Sequence, residues 1–445
     1  MKSQINPDKN LNELSQVLEF MDTVRIKTEI AAGVTTFFTM AYIVIVNPSV
    51  LSSSGTGMPF SGVLTATVTL AFLMTFLMGI YAKLPFAVAP GMGMNAFFTY
   101  TILIRNHVPW TIALGIVFWS GVLFLICSLT PVRSRIADAI PSNLRIAAAT
   151  GIGIFLTFIG LKNSGIIVSD PLTFVKMGSL NRNSIFVILG FSFMIWLLRK
   201  KNPFALLGGI ILVTTLGILD GQVKFPKVFF SKPDFESAFL KLDVVNSLKL
   251  AFVPSMVAIF FTDLFDSVSA FMGCSQALGL KNSSQKPKNL REGLIVDAWA
   301  TLCAGLLGTS AGTTFIESAA GIEVGGRTGL TSVVTALCFI PCLFVAPLAG
   351  MVPAFATAPV LILVGALMFR GVGELKLQNF EDFIPAFLTT VLIPLTFSIT
   401  QGILWGLISH VALYLAVGRK KEISPMLFAL ASISAFLLVI ENSSQ

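Results

Sequence analysis

Apolar runs near the ~20 residues that cross a bilayer recur along the whole chain, separated by short polar or glycine- and proline-bearing stretches. The first covers roughly 28–50, and others lie at about 62–81, 84–104, 110–129, 144–161, 183–199 and 203–219. A polar loop over 220–248 closes this set of seven. The second half restarts at about 249–272, 291–308, 309–326, 328–348 and 352–370, then continues through 383–417 to a last run over 425–440. Pro394 and Gln401-Gly402 interrupt 383–417, which reads as two spans or as one broken span with a re-entrant piece. The pattern predicts an all-α polytopic membrane protein of about fourteen transmembrane segments.

Seven is an odd number, so a duplicated second half would insert upside-down, as in many secondary transporters built on inverted repeats. Trp196–Leu207 is echoed by Leu415–Leu430, each carrying a basic run followed by a proline and a Leu/Ala stretch. Strict 7+7 inversion would put the Arg419–Lys421 cluster outside, whereas the positive-inside rule wants it inside. The C-terminal topology therefore stays open, with the N-terminus expected in the cytoplasm.

Two segments break the apolar pattern in corresponding halves, which is the best sequence pointer to a transporter's central site. In Leu84–Tyr100, Pro85, Pro90 and Gly91 argue against a continuous helix. In Gly308–Thr331, glycines and hydroxyls surround Glu317, which would be costly in hydrocarbon unless it faced a cavity. An extended Phe86–Pro90 followed by a helical Gly91–Ile104 would cover roughly 17 and 21 Å. Ala311–Phe315 and Ile316–Val324 would cover roughly 17 and 14 Å on the same rises. Each segment can thus be a short strand that becomes a half-helix near the midplane, and the two strands can pair antiparallel, because unpaired backbone is tolerated only inside protein or beside a cavity. Asn95 and Glu317 then fall in the first turns of their half-helices, where free N–H groups point into the cavity. Two glycine kinks for close helix packing are the plainer alternative; they account for the glycines but not for the carboxylate.

A run of 258–271 places Asp263 and Asp266 in an otherwise apolar span, three residues apart and so on neighbouring directions of one helix face. Carboxyls withdrawn from water take up protons more readily, so Asp263, Asp266 and Glu317 have the equipment for proton coupling. Either Asp has a structural alternative, as a staple accepting backbone N–H groups. His410 is a lone histidine on an apolar helix, Asp297 in the ninth span is placed to pair with a neighbouring helix, and Glu323 with Arg327 flanks Gly325-Gly326 as a local ion pair or at an interface.

Composition agrees with the pattern. The chain of 445 residues is 55% hydrophobic and 12% charged, against about 25% charged in soluble domains. Its net charge of +8 is spread over short loops (Arg25/Lys27, Arg133/Arg135/Arg145, Arg199–Lys201, Lys281–Arg291, Arg419–Lys421), which suits the positive-inside rule rather than a nucleic-acid partner. The five cysteines lie in or beside apolar segments without metal-type spacing and read as small buried hydrophobes. The polar N-terminus has no apolar core with a cleavage site, so the first span is expected to do the targeting. Walker A, metal-cluster and Gly-x-Ser-x-Gly patterns are missing from the sequence, which leaves ATP-driven pumping, a cofactor and enzymatic activity without support.

Four stretches together resemble the nucleobase–ascorbate (xanthine/uracil) permease superfamily, in its azaguanine-type hypoxanthine–guanine–adenine branch. They are Thr28–Pro48, Ala89–Phe97, Phe260–Asp266 and Glu317–Thr331, and the likeness covers nearly the whole chain. The resemblance implies fourteen segments in a 7+7 inverted repeat, with a cytoplasmic tail over 1–27 and an inter-repeat loop over 220–248. It implies a core domain (28–129 and 249–348), a gate domain (144–219 and 352–440), and import of purines with protons across the inner membrane. Purine contacts are implied for Asp263 (or Asp266), Glu317 and Asn95, with Ala96, Thr314, Phe315, Phe260 and Thr35 beside them. A homodimer is compatible with it. The chain departs from the branch pattern at Ser267-Val-Ser269, where Thr-x-Gly is usual, and at Phe315, where tyrosine is common; both bear on which purine is selected.

The chemistry agrees independently. A flat neutral purine offers ring N–H donors that a carboxylate can accept, and Phe97, Phe98 or Phe260 can stack on its face. Uracil, xanthine or a small anion are the other substrates of such a fold. An anion should avoid intramembrane acids, and a channel would need a continuous polar pore.

Overall fold

The computed structural model describes residues 25–130, 136, 139–279, 289–376 and 378–443. The tail up to 24 and the basic runs at Arg133–Arg135 and Lys281–Lys288 lie outside them. Eight helices among the described residues are long and apolar enough to cross a membrane.

The first half begins with α1 (Arg25–Leu51), interrupted by a turn at Ala41-Tyr42. It continues with α2 (Phe60–Ile80), β1 (Val88–Pro90), and α3 (Met92–Ala96), which runs on as a π-helix over Phe97–Arg105. Next come α4 (Trp110–Leu129), α5 (Ser142–Asn163), α6 (Arg182–Arg199) and α7 (Ala205–Leu219). The second half holds α8 (Val253–Ala277), α9 (Leu290–Leu307), β4 (Gly312–Thr314), α10 (Ser318–Val324), α11 (Gly329–Phe339) and α12 (Ala354–Phe369). It closes with α13 (Phe380–Thr396), α14 (Ile399–Ala416) and α15 (Pro425–Ser443). The ambiguous 383–417 run is therefore two helices, α13 and α14, packed on each other and separated at Phe397, whose φ of 52° reverses the chain.

A hairpin that the apolar pattern did not announce, β2 (Ile167–Asp170) with β3 (Phe174–Met177), joins α5 to α6. Asp170 makes its turn by accepting from Leu172 N–H and Thr173 N–H at 2.9 and 3.1 Å. The Lys176 ammonium, 2.8 Å away, and these N–H donors pull the Asp170 carboxyl down to about 2.

The helices approach closely where glycines face each other. A Cβ on Gly329 of α11 would stand 1.9 Å from the Gly79 carbonyl oxygen of α2, and one on Gly365 of α12 would stand 2.3 Å from that of Gly153 in α5. Small residues at such crossings let backbones touch, which drives helix association where lipid provides no hydrophobic force.

The loop between the halves is strapped across one end of the bundle. Ser231 N–H donates to Phe344 O, Leu240 N–H to Leu306 O and Asp243 N–H to Thr111 O, at 2.8–3.0 Å. Asp234 accepts from Ser61 and Ser237 hydroxyls at 2.6 Å.

Candidate functional site

The two interrupted segments meet as an antiparallel pair, with Val88 opposite Thr314, Ala89 opposite Thr313 and Pro90 opposite Gly312. Flanking bonds extend the ladder, from Gly91 N–H to Ala311 O at 3.0 Å and from Phe315 N–H to Ala87 O at 2.9 Å. Both strands are wholly buried. A two-stranded ladder inside an apolar bundle leaves its outer edges unpaired, at a cost of several kcal/mol per exposed polar group.

Side chains from three helices close those edges. On β1, Val88 N–H donates to the Thr75 hydroxyl at 2.9 Å, and that hydroxyl lies 3.0 Å from Val88 O. Ala87 N–H reaches the Ser318 hydroxyl at 2.9 Å. On β4, Asp297 Oδ1 accepts both the N–H and the hydroxyl of Thr314, at 2.7 and 2.9 Å. Asp297 Oδ2 accepts the Ser267 hydroxyl. The Thr301 hydroxyl lies between Gly312 O, at 2.9 Å, and the Asp263 carboxylate. The approach to β4 is fixed by Asn47, whose amide donates to Thr67 and Thr309 hydroxyls at 2.6 and 2.9 Å, and by the Ser310 hydroxyl, which donates to Asn95 Oδ1.

Two acidic residues beside this frame are half-buried. Glu317 is the residue immediately before α10, and its Oε1 accepts the Tyr42 hydroxyl at 2.9 Å. Asp266 faces the start of α3, its Oδ2 lying 3.8 Å from where a Cβ on Gly93 would stand. Asp263 and Asn95 are fully buried, as are Ala96, Phe97, Phe98, Thr314 and Phe315 to within a few per cent.

Two expected contact residues have other partners in this structure. The Thr35 hydroxyl is turned onto its own helix, donating to Ala31 O at 2.8 Å; it is Thr36 that faces α10, 2.0 Å from where a Cβ on Gly321 would be. Phe260 packs edge-on against Phe124 and Phe261, at centroid separations of 5.9 and 5.3 Å. Glu323 pairs with Lys201 at 3.7 Å, not with Arg327. His410 is buried against the Tyr414 ring. Cys127 and Cys274 are buried and the other three cysteines half-buried, all as free thiols.

Several structural roles have only faint traces in the sequence. Tyr42 reads as one more apolar residue of the first span, and Asp297 as an acid paired with a neighbouring helix rather than with a strand. Glu29 accepts from Arg327 N–H and Thr328 N–H at 3.1 Å and from the Thr331 hydroxyl, and so ties α1 to the N-terminus of α11. Its position inside the Thr28–Pro48 stretch was the available signal.

Beyond the C-terminal end of the α3 π-helix lies a cavity of about 530 Å³ lined by Tyr100, Arg105, Lys162, Thr396 and Phe397. The Thr101 hydroxyl donates to Phe397 O at 2.5 Å and Arg105 to Thr396 O, bridging α3 to the α13–α14 break.

Paired strand-to-helix breaks, buried in a bundle of apolar helices and flanked by half-buried acids, define a membrane transporter. The particular family follows from its relatives: residues 27–405 match the model of the Permease family, and the chain belongs to it, in the adenine and guanine/hypoxanthine branch of the nucleobase–ascorbate superfamily. It is 42% identical over 416 residues to a "putative permease" of Methanocaldococcus jannaschii, covering 93% of this chain and 95% of that one. It is 38% identical to the adenine permease AdeP of Escherichia coli (91% of each chain) and 36% identical to the guanine/hypoxanthine permease PbuO of Bacillus subtilis (91% and 95%). Among solved structures it shares its fold with the transmembrane domain of the cyanobacterial bicarbonate transporter BicA. That similarity has a TM-score of 0.65 at 16% identity, over 86% of this chain and 97% of the other.

Proposed function

We propose that this permease imports purine nucleobases in symport with protons across the cell membrane. Its segments are taken as fourteen spans in a 7+7 inverted repeat, with α13 and α14 counted together as one broken span of the second half and the N-terminus cytoplasmic. The core domain is 28–129 with 249–348, and the gate domain is 144–219 with 352–440. The observation that carries the reading is the β1–β4 pair with Glu317 at the head of its half-helix, half-buried where Asp263 and Asn95 are fully buried. A carboxylate oxygen there accepts a ring N–H of a neutral heterocycle, and the half-helix N–H groups meet its ring nitrogens or carbonyl.

In this reading Glu317 binds the base, with Asn95, Ala96, Thr314 and Phe315 shaping the floor beneath it. Asp266, half-buried beside Gly93, carries the proton, and Asp263 braces β4 through Thr301. The named activities of the adenine and guanine/hypoxanthine permeases support the purine class. An anion as cargo is disfavoured by the four acids near the break (Asp263, Asp266, Asp297 and Glu317), for like charges in low dielectric repel strongly.

Uptake of radiolabelled adenine, hypoxanthine, guanine and uracil, with and without a protonophore, tests this. Purine uptake that collapses with the protonophore, and is lost in Glu317→Gln at unchanged membrane expression, is the expected result. Normal uptake by Glu317→Gln would remove Glu317 from the site.

A further inference from the structure

We infer that Tyr42 is a positioning residue for Glu317, committing one carboxylate oxygen so that the other is presented to the ligand; this rests on the reading of Glu317 as the purine acceptor. Tyr42 lies in the turn that interrupts α1, and no part of it is exposed. Its hydroxyl donates to Glu317 Oε1 at 2.9 Å, from a residue 275 positions away in the chain. A phenol placed in an apolar interior needs a partner for its O–H, and the turn at Ala41-Tyr42 is where the first span brings that O–H to the head of α10.

The glutamate side chain has three rotatable torsions, and it starts a half-helix of only seven residues. Its own backbone N–H also reaches the carboxylate; without the phenol that local contact alone would hold the outer torsions, and fixing them fully would have to come out of ligand binding. Tyr42 removes that freedom in advance. Tyr42 is fully buried and Glu317 half-buried, so Tyr42 acts through Glu317 and does not itself touch ligand. Close packing keeps the arrangement: α1 and α10 meet at Thr36 and Gly321, where a Cβ would lie 2.6 Å from Ala32 O.

Tyr42→Phe keeps the ring and removes only the donor. In purified full-length protein the infrared carboxylate band of Glu317, assigned by its disappearance in Glu317→Gln, should shift in Tyr42→Phe before any ligand is added. The dissociation constant for adenine or hypoxanthine should rise about tenfold, as expected for a hydrogen bond to a charged group, with the maximal transport rate within twofold of wild type. Glu317→Asp, which withdraws the carboxylate by one methylene, should bind weakly, and adding Tyr42→Phe to it should cost nothing further. An unmoved Glu317 band, an unchanged dissociation constant, or additive losses in the double variant would each overturn the assignment. Should wild type bind no purine, the substrate reading fails alone; the band shift and titrations with uracil and xanthine then decide the role of Tyr42.

Discussion

Asp297 offers a quantitative test of how β4 is held. Its Oδ1 takes the Thr314 N–H at 2.7 Å and the Thr314 hydroxyl at 2.9 Å, and its Oδ2 takes the Ser267 hydroxyl. In Asp297→Ala the two hydroxyls can find substitutes, since Ser267 already lies 3.4 Å from the Thr313 hydroxyl. The Thr314 N–H cannot turn, because the strand fixes its direction. Leaving a buried N–H without a partner costs about 1–3 kcal/mol. A central value of about 2 kcal/mol corresponds to up to about 30-fold in apparent purine affinity, if binding needs the strand docked. Asp297→Asn keeps Oδ1 as acceptor, and its amide can donate to Ser267, whose hydroxyl also accepts. Equilibrium binding of labelled adenine to purified protein should therefore rank wild type and Asn close together, within about fivefold, with Ala well below. An Asn variant as damaged as Ala would show that the charge matters and not the anchoring of the strand. An Ala variant that binds as wild type does would refute the anchor outright.

Other substitutions separate stability from transport. Glu29→Ala strips the acceptor from the N-terminus of α11 and should lower the thermal unfolding midpoint, by a cost of about 1–3 kcal/mol, while purine affinity stays within twofold; an unchanged midpoint would count against the cap. Gly321→Ala drives a methyl into Thr36 and the Ala32 carbonyl, an overpacking of about 1–3 kcal/mol that should weaken adenine binding by moving Glu317 off Tyr42; full binding would mean that α10 can shift freely. Asp266→Asn should keep purine binding but lose stimulation of uptake by an inward proton gradient, whereas Asp263→Asn should reduce binding and uptake together. The opposite pattern in a proteoliposome assay would exchange their roles.

The breaks were legible because proline and glycine state their backbone needs locally: Pro85, Pro90 and Gly91 exclude a continuous helix, and the β1–β4 pairing follows once both segments are extended in an apolar setting. What closes the edges of that pair was not legible. Thr75, Ser318 and Asp297 each satisfy a strand from a different element, and no spacing rule links an acid on α9 to a threonine seventeen residues on. Tyr42 was hidden for a related reason, since in Met-Ala-Tyr-Ile it is one aromatic among apolar neighbours, and only the turn beneath it reveals its hydroxyl as directed. The partners of Thr35 and Phe260 were not legible either, because residue type says nothing of rotamer: one hydroxyl folds back on its helix, and one ring packs on Phe124. The β2–β3 hairpin did have a signal in Asp170-Pro171, a turn-starting pair, which the apolar pattern passed over.

A structure of the protein with adenine bound would test the central claim most directly. The base should lie at the β1–β4 break, with a ring N–H in hydrogen-bond contact with the Glu317 carboxylate oxygen that Tyr42 leaves open. Adenine seated instead in the cavity between Arg105, Lys162 and Phe397, with Glu317 away from it, would contradict the account.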